Sequence, residues 1–397
     1  MADAAPAPDL TDPSADPFAN PSASPYASLT VGDPAPWFRG RCTSNPDFAF
    51  DTVAGRYVVL GFFGSAGDGP GRRALAAVEA HRALFDDDRA CFFGVSADPD
   101  DEREVRVREA MPGLRHFWDF DGRIARLYGV APRGGDAPEP GATVGLRRRW
   151  LVLDPTLRVA AVFPLAEDAA LFAYLAGLPP PDRFAGFEVP PPILVLPDVF
   201  EPALCRDLIE RYDRHGGAAS GFMRDVGGRT VQVQDPGHKM RRDHVLADPD
   251  LIRVTQGRML RRVAPELRRI FAFEATRMER HLVGCYAADD GAHFRAHRDN
   301  TTKGTAHRRF AVSINLNGDF EGGAVSFPEY GRRGYTAPPG GAVVFPCALL
   351  HAVSRVTRGR RYAFLPFLYD EAAARVREAN SGALADGSRY RADPGAA

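Results

Sequence analysis

Between Leu178 and Pro192 the chain places six prolines in two triplets, Pro179-Pro180-Pro181 and Pro190-Pro191-Pro192. Each proline fixes its own backbone angle and gives up an amide donor, so neither a helix nor a central strand can run through this stretch. The 397-residue chain leaves enough sequence on either side for a hydrophobic core of its own. The sequence therefore predicts two folded domains, over 31–178 and 193–370, joined by a linker over 179–192. Residues 1–30 are rich in Ala, Pro, Ser and Asp without apolar periodicity and are expected to be disordered. Residues 371–397 read as a polar C-terminal tail, a short helix followed by disorder.

Charge is nearly balanced, with 50 basic and 51 acidic residues, so no overall field argues for nucleic acid or an anionic membrane as partner. The N-terminus lacks a basic stretch followed by an apolar one, and no apolar run approaches a membrane span. Five cysteines at irregular spacing fit reduced thiols better than a disulfide framework. The expectation is a soluble, cytoplasmic protein.

The chemistry of the second half centres on His297-Arg298-Asp299 and on His351. On an extended strand, residues two apart point to the same side, so His297 and Asp299 can share one target. Two histidines and one carboxylate occupy one face of an octahedral Fe(II) and leave three positions open. Ten residues beyond His351 lies Arg361, whose planar fork suits a carboxylate better than a lysine's point charge does. A metal triad with a distal anion anchor is the minimum kit for 2-oxoglutarate-dependent oxidation. His293 lies four residues before His297, a spacing that serves a helix and not a strand, and His307 sits in a polar segment and reads as a loop residue.

The surrounding sequence sharpens this. Cys285-Tyr286 precedes a turn bearing Gly291, then come Phe294 and Asp299-Asn300, the run Phe310–Asn317, Phe320-Glu321-Gly322-Gly323, Phe327–Gly331, and Gly340-Gly341-Ala342-Val343-Val344-Phe345 ahead of His351. Over roughly 193–370 this resembles the Fe(II)/2-oxoglutarate-dependent dioxygenases of the prolyl 4-hydroxylase type. The resemblance implies a mainly-β domain, a double-stranded β-helix (jelly roll) with supporting helices. It assigns iron to His297, Asp299 and His351, and the distal carboxylate of 2-oxoglutarate to Arg361, helped by the Tyr286 hydroxyl. It further implies O2 as oxidant, succinate and CO2 as products, and L-ascorbate (vitamin C) as supporting reductant. A substrate peptide bearing proline is the analogy, and a small metabolite is equally permitted.

In the first half, strands and helices alternate. Tyr57–Phe63 and Cys91–Ser96 are continuous apolar runs, as expected of strands buried on both faces. A helix is predicted over Gly71–Phe85, a charged one from Asp100, a hairpin from Trp150–Asp154 and Val159–Phe163, and a closing helix over Asp168–Leu178. This α/β order, with Val31-Gly32-Asp33-Pro34-Ala35-Pro36, Val95-Ser96-Ala97-Asp98 and Asp121-Gly122-Arg123, resembles the thioredoxin fold of peroxiredoxins. The peroxidatic cysteine of that family belongs in the loop after the first core strand, at a helix N-terminus that lowers its pKa. Here the loop is Gly64-Ser65-Ala66-Gly67-Asp68-Gly69-Pro70, without cysteine. Cys91 reads as a small core residue and Cys42 as an ordinary thiol.

Substrate determinants are expected in Gly216–Leu246, which carries His238-Lys239-Met240-Arg241-Arg242-Asp243-His244 and reads as a flexible basic lid, and in Asn300–Arg308. Three functional classes fit: an active dioxygenase, a thiol peroxidase recruiting Cys42 or Cys91, and a two-domain binding protein in which neither site turns over.

Overall fold

The computed structural model describes residues 29–132, 145–387 and 389–392. Residues 1–28 of the segment expected to be disordered lie outside them. The chain divides into two compact units, Met1–Asp51 with Tyr57–Leu178 and Thr52–Arg56 with Pro179–Ala397. No helix among the described residues is long and apolar enough to cross a membrane.

The first unit is built on β1 (Tyr57–Gly64), α1 (Gly69–Ala80), β2 (Ala90–Ser96), α2 (Pro99–Arg103), β3 (Leu114–Trp118), α3 (Arg123–Leu127), β4 (Arg149–Leu153), β5 (Val159–Pro164) and α4 (Asp168–Gly177). The sheet order is β3-β2-β1-β4-β5, parallel across the first three strands and antiparallel beyond. Every residue of β1 and β2 is buried, which is why both read as unbroken apolar runs. This is a thioredoxin-like sheet. α1 stops at Ala80 rather than at Phe85, because Arg82 turns back to the carbonyls of Phe85 and Ala110. The helix expected from Asp100 is a single five-residue piece.

The second unit begins with β6 (Leu194–Leu196), α5 (Pro202–His215), β7 (Ala218–Ala219), β8 (Phe222–Val226), β9 (Arg229–Val233), β10 (Lys239–Met240), β11 (Arg242–Val245), α6 (Pro249–Arg262) and α7 (Ala264–Phe271). It continues with β12 (Arg277–Glu279), β13 (Leu282–Ala287), β14 (His293–His297), β15 (Phe310–Asn315), β16 (Val325–Ser326), β17 (Gly334–Tyr335), β18 (Ala342–Pro346), β19 (His351–Val353), β20 (Arg360–Phe364), β21 (Phe367–Tyr369) and α8 (Glu371–Asn380). One sheet runs β12-β21-β15-β20-β13-β11-β7, with β18 and β6 attached beside β15; the other runs β10-β14-β19-β16-β17. Two antiparallel sheets with helices outside one of them form the jelly roll. Alternate residues of the larger sheet, Val283, Cys285, Val312, Ile314 and Phe364, pack against Leu208, Leu251, Met259 and Leu267 of the helices. The residues between them, Tyr286, Ser313, Asn315 and Arg361, therefore face the smaller sheet.

Gly216–Leu246 holds regular structure rather than a plain loop: β8 and β9 form a hairpin closed by Gly227-Gly228, both at positive φ as a two-residue turn requires. After it, β10 joins the smaller sheet and β11 the larger, so the basic stretch crosses between the sheets. Asn300–Arg308 is tied to the hairpin, with Lys303 N donating to Asp225 and Gly304 N to Thr230. The tail beyond Asp370 begins with a docked helix, α8, whose Ala373 and Ala374 are fully buried.

α8 is locked by charge. Glu279 receives Arg308 Nε at 2.7 Å and Arg377 at 2.9 Å, with His307 Nε2 at 3.0 Å. His307 is thus a loop residue, as expected, but a buried one. Although burial opposes it, these cations hold the Glu279 carboxyl far below the usual range. A depressed carboxylate adds stability above its unfolded pKa of about 4.3 and loses it as pH falls through the folded value. Glu279→Gln should therefore lower the unfolding free energy of this unit by about 3 kcal/mol at pH 7. The gap to wild type should begin to narrow below about pH 4 and go on narrowing as pH falls toward the folded value. Chemical denaturation across pH checks this; a gap independent of pH would assign the loss to packing.

Candidate active site

His297 ends β14 and lies opposite His351, the first residue of β19. Asp299 is not on the strand, as its spacing suggested; it follows in the next turn, where its amide donates to Cys347 O at 3.0 Å. From there its carboxylate meets His297 Nε2 at 3.5 Å and His351 Nε2 at 3.3 Å. Among the described residues this is the one group of three His, Cys, Asp or Glu side chains placed to hold a metal ion. His293 stays outside it, engaged with the carbonyls of Gly291 and Gly237.

The donor set suits a metal. His297 Nδ1 lies 2.8 Å from Arg295 O and His351 Nδ1 lies 3.0 Å from Leu349 O. A carbonyl can only accept, so each Nδ1 carries the proton and each Nε2 offers a lone pair toward Asp299. Burial, with His351 beside it, pushes the His297 imidazole down to about 4. Phe294 stacks on His297 at 3.5 Å between centroids, and Phe345 packs on His351 at 4.6 Å, which keeps water off the rings.

Sequence reasoning assigned no role to Arg298 and Glu329. Arg298 donates to Glu329 Oε1 at 2.9 Å, and Glu329 also accepts the amide of Leu350, the residue before His351. One buried ion pair thereby fixes both arms of the cluster.

Facing the cluster is a cavity. Arg361 enters it from β20, opposite Tyr286 on β13. Its Nε donates to Asn315 Oδ1 at 2.8 Å and one terminal nitrogen to Ser313 Oγ at 2.7 Å. Both partners are neutral, and the other terminal nitrogen is buried without a hydrogen-bond partner. A fully buried guanidinium with a spare donor is a fitting receptor for a carboxylate. Tyr286 places its ring under the Arg361 guanidinium at 5.3 Å, while its hydroxyl accepts from Arg241 at 3.2 Å. The missed residues here are Ser313 and Asn315, recoverable as inward positions of a strand, and Arg280; Lys239 and Arg241, which line the cavity with it, lie in the segment expected to carry substrate determinants.

Among the described residues the first unit shows no comparable site. Asp68 caps α1 by accepting the Gly71 amide at 2.8 Å and pairs with Arg148. At Gly71 an added Cβ would lie 1.8 Å from Ser65 O, so the first turn of α1 takes no side chain there, a cysteine's included. Cys42 and Cys91 are both buried, and burial pushes the Cys42 thiol up, away from the reactive thiolate. The full-length protein should therefore reduce hydrogen peroxide with dithiothreitol no faster than its Cys42→Ser, Cys91→Ser variant. Fast, saturable turnover lost in that variant would restore a peroxidase role.

Residues 281–369 match the 2OG-Fe(II) oxygenase superfamily, and residues 31–162 match the AhpC/TSA family. A PKHD-type hydroxylase of Synechococcus sp. (strain JA-2-3B'a(2-13)) is 30% identical over 89 residues, 21% of this chain and 39% of that protein. The matched stretch thus spans less than half of the curated relative's length. Among solved structures, the prolyl hydroxylase of Trichoplax adhaerens in complex with a hypoxia inducible factor oxygen degradation domain peptide is 14% identical, with a TM-score of 0.36, covering 46% of this chain and 84% of that one. Peroxidoxin BcpB of Mycobacterium tuberculosis is 22% identical, with a TM-score of 0.32, covering 38% and 99%. The chain is thus similar to two different families in its two halves, AhpC/TSA over 31–162 and the 2OG-Fe(II) oxygenase superfamily over 281–369.

Proposed function

We propose that this chain is an Fe(II)- and 2-oxoglutarate-dependent dioxygenase that hydroxylates its substrate with release of succinate and CO2. The observation that carries the reading is the His297, Asp299 and His351 cluster facing, across one cavity, a buried arginine with a spare donor. Fe(II), bound with 2-oxoglutarate and O2, supplies the oxidising power that no side chain has. His297 and His351 hold the metal through Nε2, and Asp299 through its carboxylate. Arg361 clamps the distal carboxylate of 2-oxoglutarate, with Ser313 and Asn315 fixing the guanidinium and Tyr286 backing it. Phe294 and Phe345 exclude water. L-ascorbate is the reductant proposed to keep the metal ferrous.

In this reading residues 31–178 are a redoxin-like scaffold or docking module without a peroxidatic cysteine, 179–192 the linker, and 193–370 the dioxygenase domain. Five free cysteines, all buried, support a reducing, cytoplasmic setting. The substrate is a peptidyl-proline-like residue or a small molecule.

Asp299→Ala should cut Mn(II) or Fe(II) binding and abolish 2-oxoglutarate-dependent succinate release while circular dichroism stays near wild type. Retention of most of the turnover would remove Asp299 from the metal site.

Arg361 separates cosubstrate from metal. A charged hydrogen bond in a dry pocket contributes about 1.5–3 kcal/mol, so Arg361→Leu should weaken 2-oxoglutarate binding by roughly ten- to a hundredfold. Metal binding should be nearly unchanged, and Arg361→Lys should fall between. Arg360 is exposed on the other side of the strand, so Arg360→Leu serves as control. Equal losses at 360 and 361, or lost metal in Arg361→Leu, would sink the assignment.

A further inference from the structure

The cavity holds more positive charge than iron and 2-oxoglutarate account for. Besides Arg361 it is lined by Lys239, Arg241 and Arg280, and a single carboxylate, Asp243, serves all three. Arg241 takes Asp243 through two nitrogens at 2.6 and 2.8 Å, and the Ser220 hydroxyl occupies it as well. Arg280 comes no closer to it than 3.6 Å. Glu279, the neighbour of Arg280 in sequence, is engaged by His307, Arg308 and Arg377. Asp299 belongs to the metal cluster.

Lys239 is the sharper case. It is 5% exposed, and its ammonium donates to Ser220 Oγ at 2.7 Å and Gly221 O at 2.6 Å, both neutral acceptors. It sits 4.9 Å above the Phe294 ring, which also stacks on His297. An ammonium has three donors, so one remains for a ligand. Burial, with Arg241 beside it, pushes the Lys239 pKa well down, so its ammonium is costly here unless an anion meets it. Arg280 adds its own strain. Its φ is +65°, in the left-handed region that side chains avoid, and its guanidinium lies over Phe367 at 5.5 Å.

On the proposed function, the two carboxylates of 2-oxoglutarate are already placed, one at the metal and one on Arg361. Lys239 stands on the sheet that carries His297, whereas Arg361 stands on the facing sheet. We infer that Lys239 and Arg280 form a second anion subsite, and that the molecule oxidised here carries a carboxylate that this subsite binds beside the metal. The inference rests on the dioxygenase reading and names its substrate class.

The test uses the full-length protein saturated with Mn(II) and 2-oxoglutarate. Acetate, propionate and benzoate, each with its neutral amide, and inorganic phosphate are added in turn. Paramagnetic relaxation of the probe protons by Mn(II), or of 31P for phosphate, reports binding beside the metal. The carboxylates should relax at least about fivefold faster than their amides, and both Lys239→Met and Arg280→Asn should remove most of that difference. Arg280 lies at the cavity rim, 31% exposed, and asparagine tolerates its backbone angle, so this variant should fold even where Lys239→Met does not. In Arg280→Asn the affinity for 2-oxoglutarate should stay within about twofold of wild type. Carboxylates and amides relaxing alike, carboxylate relaxation surviving Arg280→Asn, or a response to phosphate alone would each overturn the subsite. Failure of the wild type to bind Mn(II) and 2-oxoglutarate would instead overturn the dioxygenase reading, and the subsite with it.

Discussion

A one-residue slip between β13 and β20 would turn Arg361 out toward the helices and bring Arg360 or Tyr362 into the cavity. Register is thus the constraint on which the site depends. It is fixed by burial: Val283, Cys285, Tyr362 and Phe364 must face α5, α6 and α7, and the core they form leaves Tyr286 and Arg361 no other side. The same holds on the smaller sheet, where the pairing of His297 with His351 brings together residues far apart in sequence. The residues proposed for the metal and for the distal carboxylate stand on different sheets, so packing of the whole jelly roll sets the distance between them.

This explains which parts of the site could be read from the sequence. The His297, Asp299 and His351 pattern and Arg361 are legible because each stands beside a strand whose alternation is itself legible. Asp299 shows the limit, since it reaches the cluster from a turn although the period-two argument placed it on the strand. That Lys239, Arg241 and Arg280 face the cavity was hidden for another reason. They lie in short strands and a strained turn with no periodicity, and their direction is set by which sheet each fragment joins. A basic stretch beside glycines reads as a flexible lid; here it crosses between two sheets, with Lys239 and Arg241 buried. In the first unit, β3 went unread because Arg115 and His116 interrupt its apolar run. His116 nonetheless packs between Phe63 and Phe92, where burial pushes its pKa down to about 4 and keeps it neutral.

The first unit keeps a redoxin-like sheet while its reactive loop is closed. Asp68 and Arg148 neutralise each other at the start of α1, Ser65 donates to Asp98, and Ala66 N donates to the buried Asp101. A helix N-terminus attracts an anion, and the fixed carboxylate of Asp68 already supplies one. The positive field that would stabilise a thiolate is therefore spent within the fold, consistent with a sheet retained for its shape.

In the second unit the charges are arranged in the opposite sense. Where charge is needed for structure it is paired to completion: Arg298 with Glu329, and Glu279 with Arg308 and Arg377. Glu329 also receives the amide of Leu350, so the turn after His297 and the turn before His351 are held by one carboxylate without any ion between them. Preorganisation of this kind lets ligand side chains meet a metal without first being ordered. Charges left without direct carboxylate partners, Arg361 and Lys239, both line the single cavity into which the cluster opens. Elsewhere this fold buries its cations in pairs; at the cavity it leaves room for anions that come from outside.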